Sequence, residues 1–232
     1  MLLTRFENRE DAGHRLADRL RGLPVTNPLV LAIPRGGIEI ALPIARRLPA
    51  ELDIVLARKL RAPNQPELAL GAISETGEVY LDPRAEGLIE ASERYIDEER
   101  RRQMSEIERR RRLFRQVRPQ ARVADRTVIV TDDGIATGST MIAALRAVRA
   151  GGAGEVVMAV PVAARERLEE IRPLCERVVC LIEADFLWAI GQFYREFEQV
   201  SDERVLEVLR EFASPRPASG PPARGPLSGV KS

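Results

Sequence analysis

The sequence is poor in cysteine, histidine and lysine. Its two cysteines are Cys175 and Cys180, and His14 is its one histidine. Two cysteines cannot build a disulfide framework, and a single histidine adds too little for a Cys/His zinc site. We therefore interpret these three side chains as structural and expect no metal site built by the protein alone.

Long apolar runs are also missing. No stretch approaches the roughly 18 apolar residues that a membrane span needs, and residues 1–11 lack the apolar core of a secretory signal. Lysine and arginine total 36 and aspartate and glutamate total 35, which leaves a net charge of +1. That balance argues against a protein that coats nucleic acid. These absences predict a cytoplasmic protein that contacts no membrane.

The chain of 232 residues divides into a body and a tail. Proline, glycine, serine and alanine dominate residues 214–232, which offer almost nothing to bury. We predict a disordered tail there. Residues 1–213 have the length of one large domain.

Short apolar segments alternate with helical patterns inside the body. Continuously apolar strands bounded by helices are typical of a parallel sheet that is covered on both faces. Ligands bind such sheets at the loops that follow the strands. The predicted strands are residues 28–33, 53–57, 127–131, 155–160 and 178–182, and the predicted helices are residues 38–48, 140–150 and 164–174. The fold class is therefore α/β.

One region interrupts this alternation. Residues 68–73 and 78–81 predict a hairpin, and residues 84–117 follow with apolar side chains at helical spacing. Residues 100–115 contain eight arginines and two glutamates. Two interpretations stay open. The helix is either solvated, its arginines paired with acids such as Glu93, Glu98 and Glu106, or it presents a basic face to a nucleic acid or a phosphate-rich partner.

The chemistry is concentrated in residues 128–140. An apolar strand leads to two adjacent carboxylates, Asp132 and Asp133, and then to a loop of small and hydroxyl residues that opens a helix. The unpaired N–H groups and the positive dipole end of such a helix bind anions. Glycines at 134 and 138 let the backbone close around a phosphate.

The two aspartates make sense beside an anion site if the same ligand also offers hydroxyl donors. A ribose 5-phosphate has this pattern, with a phosphate at one end and two vicinal hydroxyls nearer the other. A Walker loop would need a lysine that is absent here, and no dinucleotide fingerprint is present. An acidic turn with an ordinary helix cap is the remaining alternative.

Residues 128–140 resemble the phosphoribosyl pyrophosphate (PRPP) motif of type I phosphoribosyltransferases. The resemblance extends from Phe6 to Phe212 and is greatest to a bacterial group of stand-alone phosphoribosyltransferases of poorly defined role. Its hallmarks here are residues 34–37 (PRGG), 58–60 (RKL), 66–72 (PELALGA) and 189–194 (AIGQFY). The resemblance implies a Rossmann-like core with a small hood, interrupted by a flap and a helical segment at about residues 61–122.

The resemblance also implies a role for each motif. It places the ribose hydroxyls of PRPP on Asp132 and Asp133. It places the 5-phosphate on the loop made of Gly134, Ile135, Ala136, Thr137, Gly138, Ser139 and Thr140. It places the pyrophosphate on the turn of Arg35, Gly36 and Gly37, where family members often have a strained or cis peptide. Mg²⁺ would enter with PRPP, whose own oxygens hold it mainly.

Lys59 is the one lysine of the body in a chain that otherwise uses arginine. We place it at the end of the second predicted strand and interpret it, with Arg35, as a catalytic group that contacts the departing pyrophosphate. A solvated loop lysine is the alternative. Residues 62–74 correspond to a mobile flap that excludes water.

Trp188 and Phe186 follow the last predicted strand, where purine phosphoribosyltransferases stack an aromatic ring on the base. Packing in the core is the alternative for both. In hypoxanthine-type enzymes an aspartate occupies the position of Ala136, so the resemblance puts a hypoxanthine or guanine substrate in doubt. It leaves the general base unassigned, with Glu67 and Glu75 of the flap open.

We therefore expect an enzyme that transfers a phosphoribosyl group from Mg-PRPP to an unidentified nitrogenous base and releases pyrophosphate. The alternative is a non-catalytic PRPP- or nucleotide-binding regulator on the same fold. The expected partners are small molecules rather than nucleic acid, and a homodimer is compatible with the sequence.

Overall fold

The computed structural model describes residues 5–63, 65–85 and 92–213, and the side chains in these ranges except those of 65–68. The predicted tail at 214–232 and the side chain of Glu67 lie outside the described residues. The helices are α1 (Arg9–Leu20), α2 (Gly37–Arg47), α3 (Glu93–Arg115), α4 (Ser139–Ala150), α5 (Arg165–Ile171) and α6 (Asp202–Glu211), with 3₁₀ turns at Arg172–Leu174 and Ile190–Phe193. The strands are β1 (Leu29–Ala32), β2 (Glu51–Ile54), β3 (Ala57–Ala62), β4 (Gln65–Ser74), β5 (Val79–Leu81), β6 (Thr127–Thr131), β7 (Glu155–Ala164) and β8 (Arg177–Ala184).

The core is a five-stranded parallel sheet in the order β2-β1-β6-β7-β8. Alternate residues of the central strands face opposite layers. Ile129 and Val157 pack in the apolar cluster that contains α1, α2 and α6, whereas Val128 and Met158 pack in the cluster that contains α4. Helices therefore cover both faces of the sheet, which explains why the sequences of these strands are continuously apolar. The predicted α/β class is confirmed.

A second sheet, the hood, follows β2 in the chain. Strands β3, β4 and β5 are antiparallel, and β4 and β5 form the predicted hairpin around residues 75–77. The predicted strand 53–57 was wrong as a single element, because β2 ends at Ile54 and β3 begins at Ala57. Lys59 therefore does not end the second parallel strand but is the third residue of a hood strand. The apolar run continues from β2 into β3, so the sequence pattern gives no sign of the boundary between the two sheets.

Helix α3 covers Glu93–Arg115 of the predicted helical segment 84–117 and packs against β3. Ile107 and Phe114 are buried, as their spacing predicts. Several of its arginines pair with acids on the same helix, namely Arg94 with Glu98, Arg109 and Arg110 with Glu106, and Arg111 with Glu108. Four exposed arginines of α3 make no ion pair within the described chain: Arg100, Arg101, Arg102 and Arg112. The predicted pairing with neighbouring acids is confirmed for the first set, whereas the second set is exposed to solvent and unpaired in the described ranges.

Helices α1 and α6 were not predicted from the sequence. Helix α1 begins at an Asn8 cap whose side chain accepts a hydrogen bond from the amide of Asp11, and it buries Leu16 and Leu20. Helix α6 is capped in the same way by Ser201 and buries Val205 and Leu209. Of the helices in the described ranges, none combines the length and apolar character that crossing a bilayer requires.

Candidate functional site

The loop between β6 and α4 is held in place by β7. The Ile135 amide donates to the Val162 carbonyl over 2.9 Å, and the Ala164 amide donates to the Ile135 carbonyl over 3.0 Å. Gly138, the residue before α4, has φ +80, a left-handed conformation that glycine adopts without strain. The loop is therefore anchored to β7 through the backbone of Ile135.

This loop presents hydrogen-bond donors at the start of α4. No partner is found within the described chain for the backbone N–H groups of residues 136–138, and those of the first helical turn lack one by geometry. The Ser139 hydroxyl is buried without a hydrogen-bond partner. Ile135, however, has given its N–H to β7 and its side chain is buried. The free donors thus come from the second half of the predicted phosphate loop.

Each of the two aspartates has one carboxylate oxygen engaged by the protein. Asp132 Oδ1 accepts the Asp133 amide over 2.8 Å, and Asp133 Oδ2 accepts Nε of Arg9 over 2.9 Å. The other two oxygens, Asp132 Oδ2 and Asp133 Oδ1, have no donor among the described residues. Two carboxylate oxygens without a donor from the protein match the two donors of a vicinal diol in number.

The pair is electrostatically unfavourable in the absence of a ligand. Burial raises the pKa of Asp132 well above its usual value, and the charge of Asp133 raises it further. Burial also raises the pKa of Asp133, against the opposing charge and hydrogen bond of Arg9. Lys59 and Arg9 favour the charged form of Asp132 without cancelling these effects. A ligand that donates hydrogen bonds here would relieve the repulsion.

We expect Asp132→Asn to raise the melting temperature of the ligand-free protein by a few degrees at neutral pH. A carboxyl with a raised folded pKa keeps its proton where the unfolded chain has lost it, so its contribution to stability falls as pH rises from about 4 through the folded pKa. The neutral amide of asparagine does not lose stability as the pH rises. The difference in melting temperature between the variant and the wild type should therefore shrink toward pH 4. Thermal melts over this pH range measure it, with Asp18→Asn, an exposed partner of Arg47, as control. An unchanged or lower melting temperature would contradict the electrostatic account.

The turn after β1 lies directly against the two aspartates. The peptide bond between Pro34 and Arg35 is cis. A Cβ added to Gly36 would come within 2.0 Å of Asp133 Oδ2, and one added to Gly37 within 2.9 Å of the Thr131 carbonyl oxygen. The two glycines are therefore required by close approach. Gly37 donates its N–H to Ile33, whereas the N–H groups of Arg35 and Gly36 have no partner in the described part of the chain.

Lys59 reaches this edge of the sheet from the hood. Together with Asp132, Asp133 and Ile190, it lines a cavity of ≈ 180 Å³ that also takes in the loop and the first turn of α4. The Lys59 side chain is exposed, and its charge acts on Asp132. The cavity therefore has a cation on one side, carboxylates on another and helix-opening amides on a third. Arg35 does not line it.

Two residues that hold the site together were not predicted as site residues. Arg9 binds Asp133 from the first turn of α1, and the Tyr194 hydroxyl donates to the Asp133 carbonyl over 2.6 Å. The cap at Asn8 and the acids that follow in the first turn could have revealed α1. No spacing in the sequence relates position 9 to position 133.

The remaining sequence candidates fall outside this cavity. Phe186 and Trp188 are 82% and 90% exposed, so packing in the core was the wrong alternative for both. Glu75 accepts the Leu56 amide and lines a separate cavity of ≈ 210 Å³ with Asp53, which argues against it as a base at this site. Ile190 lines the cavity and closely follows Trp188 in the chain, so the segment that carries Phe186 and Trp188 leads into the site.

The cysteines and the histidine do not contribute to the site. Both cysteines are free, and burial raises the pKa of the Cys180 thiol to about 12, which suppresses the reactive thiolate. His14 lies on the surface of α1 near Glu10. Among the described residues, no group of three or more histidine, cysteine, aspartate or glutamate side chains is arranged to hold a metal ion.

Comparison with known proteins identifies the family of the chain. The family model of the phosphoribosyl transferase domain matches residues 3–198. The chain belongs to the phosphoribosyl transferase family. The match includes the turn after β1, the hood, the loop before α4 and the segment up to Glu198, and it leaves out α6.

Relatives of known sequence and structure agree with this family. A Mycobacterium tuberculosis protein, found in strains H37Rv and CDC 1551 and provisionally named a phosphoribosyl transferase, is 40% identical over 212 residues. The match covers 90% of this chain and 48% of that protein, so the chain spans about half the length of these curated relatives. The crystal structure of TT1426 from Thermus thermophilus is 43% identical, with a TM-score of 0.76 over 90% of this chain and 100% of that one. The phosphoribosyl transferase family expected from the sequence is confirmed.

Proposed function

We propose that the protein binds PRPP and transfers its phosphoribosyl group to a nitrogenous base with release of pyrophosphate. The observation that carries the proposal is the cavity in which Lys59, the aspartate pair and the opening of α4 meet. Its three chemistries correspond to three parts of one ligand. A phosphate fits the amides, a ribose diol fits the free carboxylate oxygens, and a diphosphate fits the cation.

The 5-phosphate is assigned to the start of α4. Free N–H groups, the helix dipole and the hydroxyls of Thr137 and Thr140 favour a dianion there. Hydrogen bonds to a charged group contribute about 1.5–3 kcal/mol each, so a few donors suffice. The unpartnered Ser139 hydroxyl beneath this loop supports the assignment.

The pyrophosphate is assigned to the turn after β1 and to Lys59. The unpaired N–H groups of Arg35 and Gly36 suit phosphate oxygens, and Arg35 adds a guanidinium that can make bidentate contacts. Since the described chain offers no metal cage, Mg²⁺ would arrive on the diphosphate oxygens of PRPP. It would supply further charge neutralisation to the leaving group.

The reaction breaks the bond between C1 of the ribose and the pyrophosphate oxygen and forms a bond from C1 to a nitrogen of the base, which loses its proton. Cleavage of such a bond passes through an oxocarbenium-like state. The protein contributes by fixing both ends of PRPP and by stabilising the negative charge that grows on the pyrophosphate. Phe186 and Trp188, exposed beyond β8, are assigned to stacking on the base.

A pyrophosphate-release assay tests the proposal. Purified protein with Mg²⁺ and PRPP is offered a panel of purine and pyrimidine bases, and release is compared with reactions that lack the base. We expect one base or a small group of related bases to give release that depends on protein concentration. Asp132→Asn serves as the matched control, since it should lower release while the protein stays folded.

The regulatory alternative has its own outcome in the same experiment. The unpaired arginines of α3 favour it, because exposed cations without partners suit an anionic macromolecule. PRPP binding by calorimetry, without turnover of any base in the panel, would support a PRPP-binding regulator. Absence of PRPP binding would reject both the enzyme and a regulator that binds PRPP.

A further inference from the structure

Arg9 is held in one conformation by three directional contacts. Its Nε lies 2.9 Å from Asp133 Oδ2, and its Nη1 donates to the Glu198 carbonyl over 2.7 Å. Its guanidinium carbon lies 3.7 Å from the centre of the Phe197 ring. A planar guanidinium that is bonded at two edges and stacked on an aromatic face has little freedom left.

The contact with Asp133 is shielded from solvent. The side chains of Arg9 and Asp133 are 11% and 18% exposed. Ion pairs with little exposure are screened less by salt than surface pairs are, and loss of one partner leaves the other charge uncompensated. Arg9 also opposes the effect of burial on the pKa of Asp133. The Asp133 carboxylate is therefore oriented by a residue 124 positions away in the chain, which also favours its charged form.

Arg9 also determines which oxygen of Asp133 faces a ligand. Oδ2 is occupied by Arg9 and lies against Gly36, so the carboxylate can offer only Oδ1. Without Arg9 the side chain could rotate or share a proton with Asp132. Either change would remove an acceptor from the diol site and leave the donors at α4 untouched.

We propose that Arg9 is a positioning residue that makes Asp133 a single-oxygen acceptor for one ribose hydroxyl, and so gives the site its selectivity for ribose over deoxygenated sugars. This inference rests on the assignment of the aspartate pair to the ribose in the proposed function. Arg9 itself does not line the cavity, so its effect is transmitted through Asp133.

Calorimetry with two sugar phosphates tests the role. Ribose 5-phosphate offers both the phosphate and the diol, whereas 2,3-dideoxyribose 5-phosphate offers the phosphate alone. We expect Arg9→Met to weaken ribose 5-phosphate binding by about 10-fold or more, the effect of one lost hydrogen bond to a charged group. Binding of the dideoxy compound should change less than about 3-fold. A purely structural role for Arg9 would weaken both ligands alike and would overturn the proposal.

Two further variants complete the design. Arg9→Lys keeps the cation but not the fork or the stack, so we expect a smaller loss confined to ribose 5-phosphate, and this variant carries the test if Arg9→Met does not fold. In an Asp133→Asn background, Arg9→Met should bring no further loss. Arg195→Met removes an exposed pair with Glu7 from the same region and should leave both affinities unchanged.

The outcomes distinguish a failure of the role of Arg9 from a failure of the proposed function. If the wild-type protein binds the two sugars equally, the ribose assignment of the aspartates fails. If the wild-type protein prefers ribose 5-phosphate and Arg9→Met keeps that preference, the proposed function stands and the role of Arg9 is refuted.

Discussion

Replacement of Lys59 by alanine is expected to lower kcat by about 10²–10³-fold, the effect of removing one preorganised charge from a transition state. PRPP affinity should fall by less than about 10-fold. Lys59 lines the cavity from the hood, and its positive charge counteracts the rise in the pKa of Asp132. Its compact ammonium can follow the pyrophosphate as charge builds on it, so its contribution should be larger in the transition state than in the bound substrate.

The measurement needs both quantities on the same proteins. Steady-state pyrophosphate release with the base found in the panel gives kcat, and calorimetric titration with PRPP gives the affinity. Arg61→Ala is the matched control, because Arg61 is an exposed cation on the same hood strand that does not line the cavity. Equal losses in affinity and kcat/KM with an unchanged kcat would show that Lys59 only binds substrate.

Asp53→Asn is expected to reduce the free energy of unfolding by about 3–5 kcal/mol, the typical effect of breaking a buried ion pair. The Asp53 side chain is 1% exposed, and its Oδ1 lies 2.7 Å from Nη1 of Arg115. Its Oδ2 accepts the Ala121 amide over 2.8 Å. Asp53 thus joins β2, the end of α3 and the chain entering β6.

Chemical denaturation measures this loss, and thermal melts should show a decrease on the order of 10 °C. Asp18→Asn is the control here too, because its pair with Arg47 is exposed and contributes little. In the Asp53→Asn background, Arg115→Met should lower the free energy of unfolding by much less than it does in the wild-type protein, since the two residues act as one unit. A stability within about 1 kcal/mol of wild type would contradict the role assigned to the pair.

The sequence was most informative where one physical cause determined the structure. Strand β6 and the β4–β5 hairpin agree with their predictions, because continuous burial and turn residues leave little choice. The opening of α4 was predicted to within one residue, at 140 instead of Ser139. The aspartate pair and the turn after β1 were placed at the same sheet edge because loops that follow parallel strands meet there.

The parts that escaped prediction depend on contacts between distant positions. Arg9 and Asp133 are 124 residues apart, and nothing local in either segment indicates the other. The break between β2 and β3 lies inside an apolar run and is determined by the hood that β3 joins. Ile135 was predicted as one more phosphate donor, but its amide donates to β7 instead. Local sequence patterns cannot report pairings of this kind.

The scarcity of lysine makes the cavity chemically addressable. Lys59 and Lys231 are the only lysines of the chain, and Lys59 is the single one in the described residues. An acylating or reductively methylating reagent would therefore modify very few positions besides the α-amino group, and one of them faces the cavity. An isotope-labelled methyl group there would give one resonance that follows occupancy directly. Protection of that amine by a candidate ligand could then be read by peptide mass mapping before any turnover assay exists.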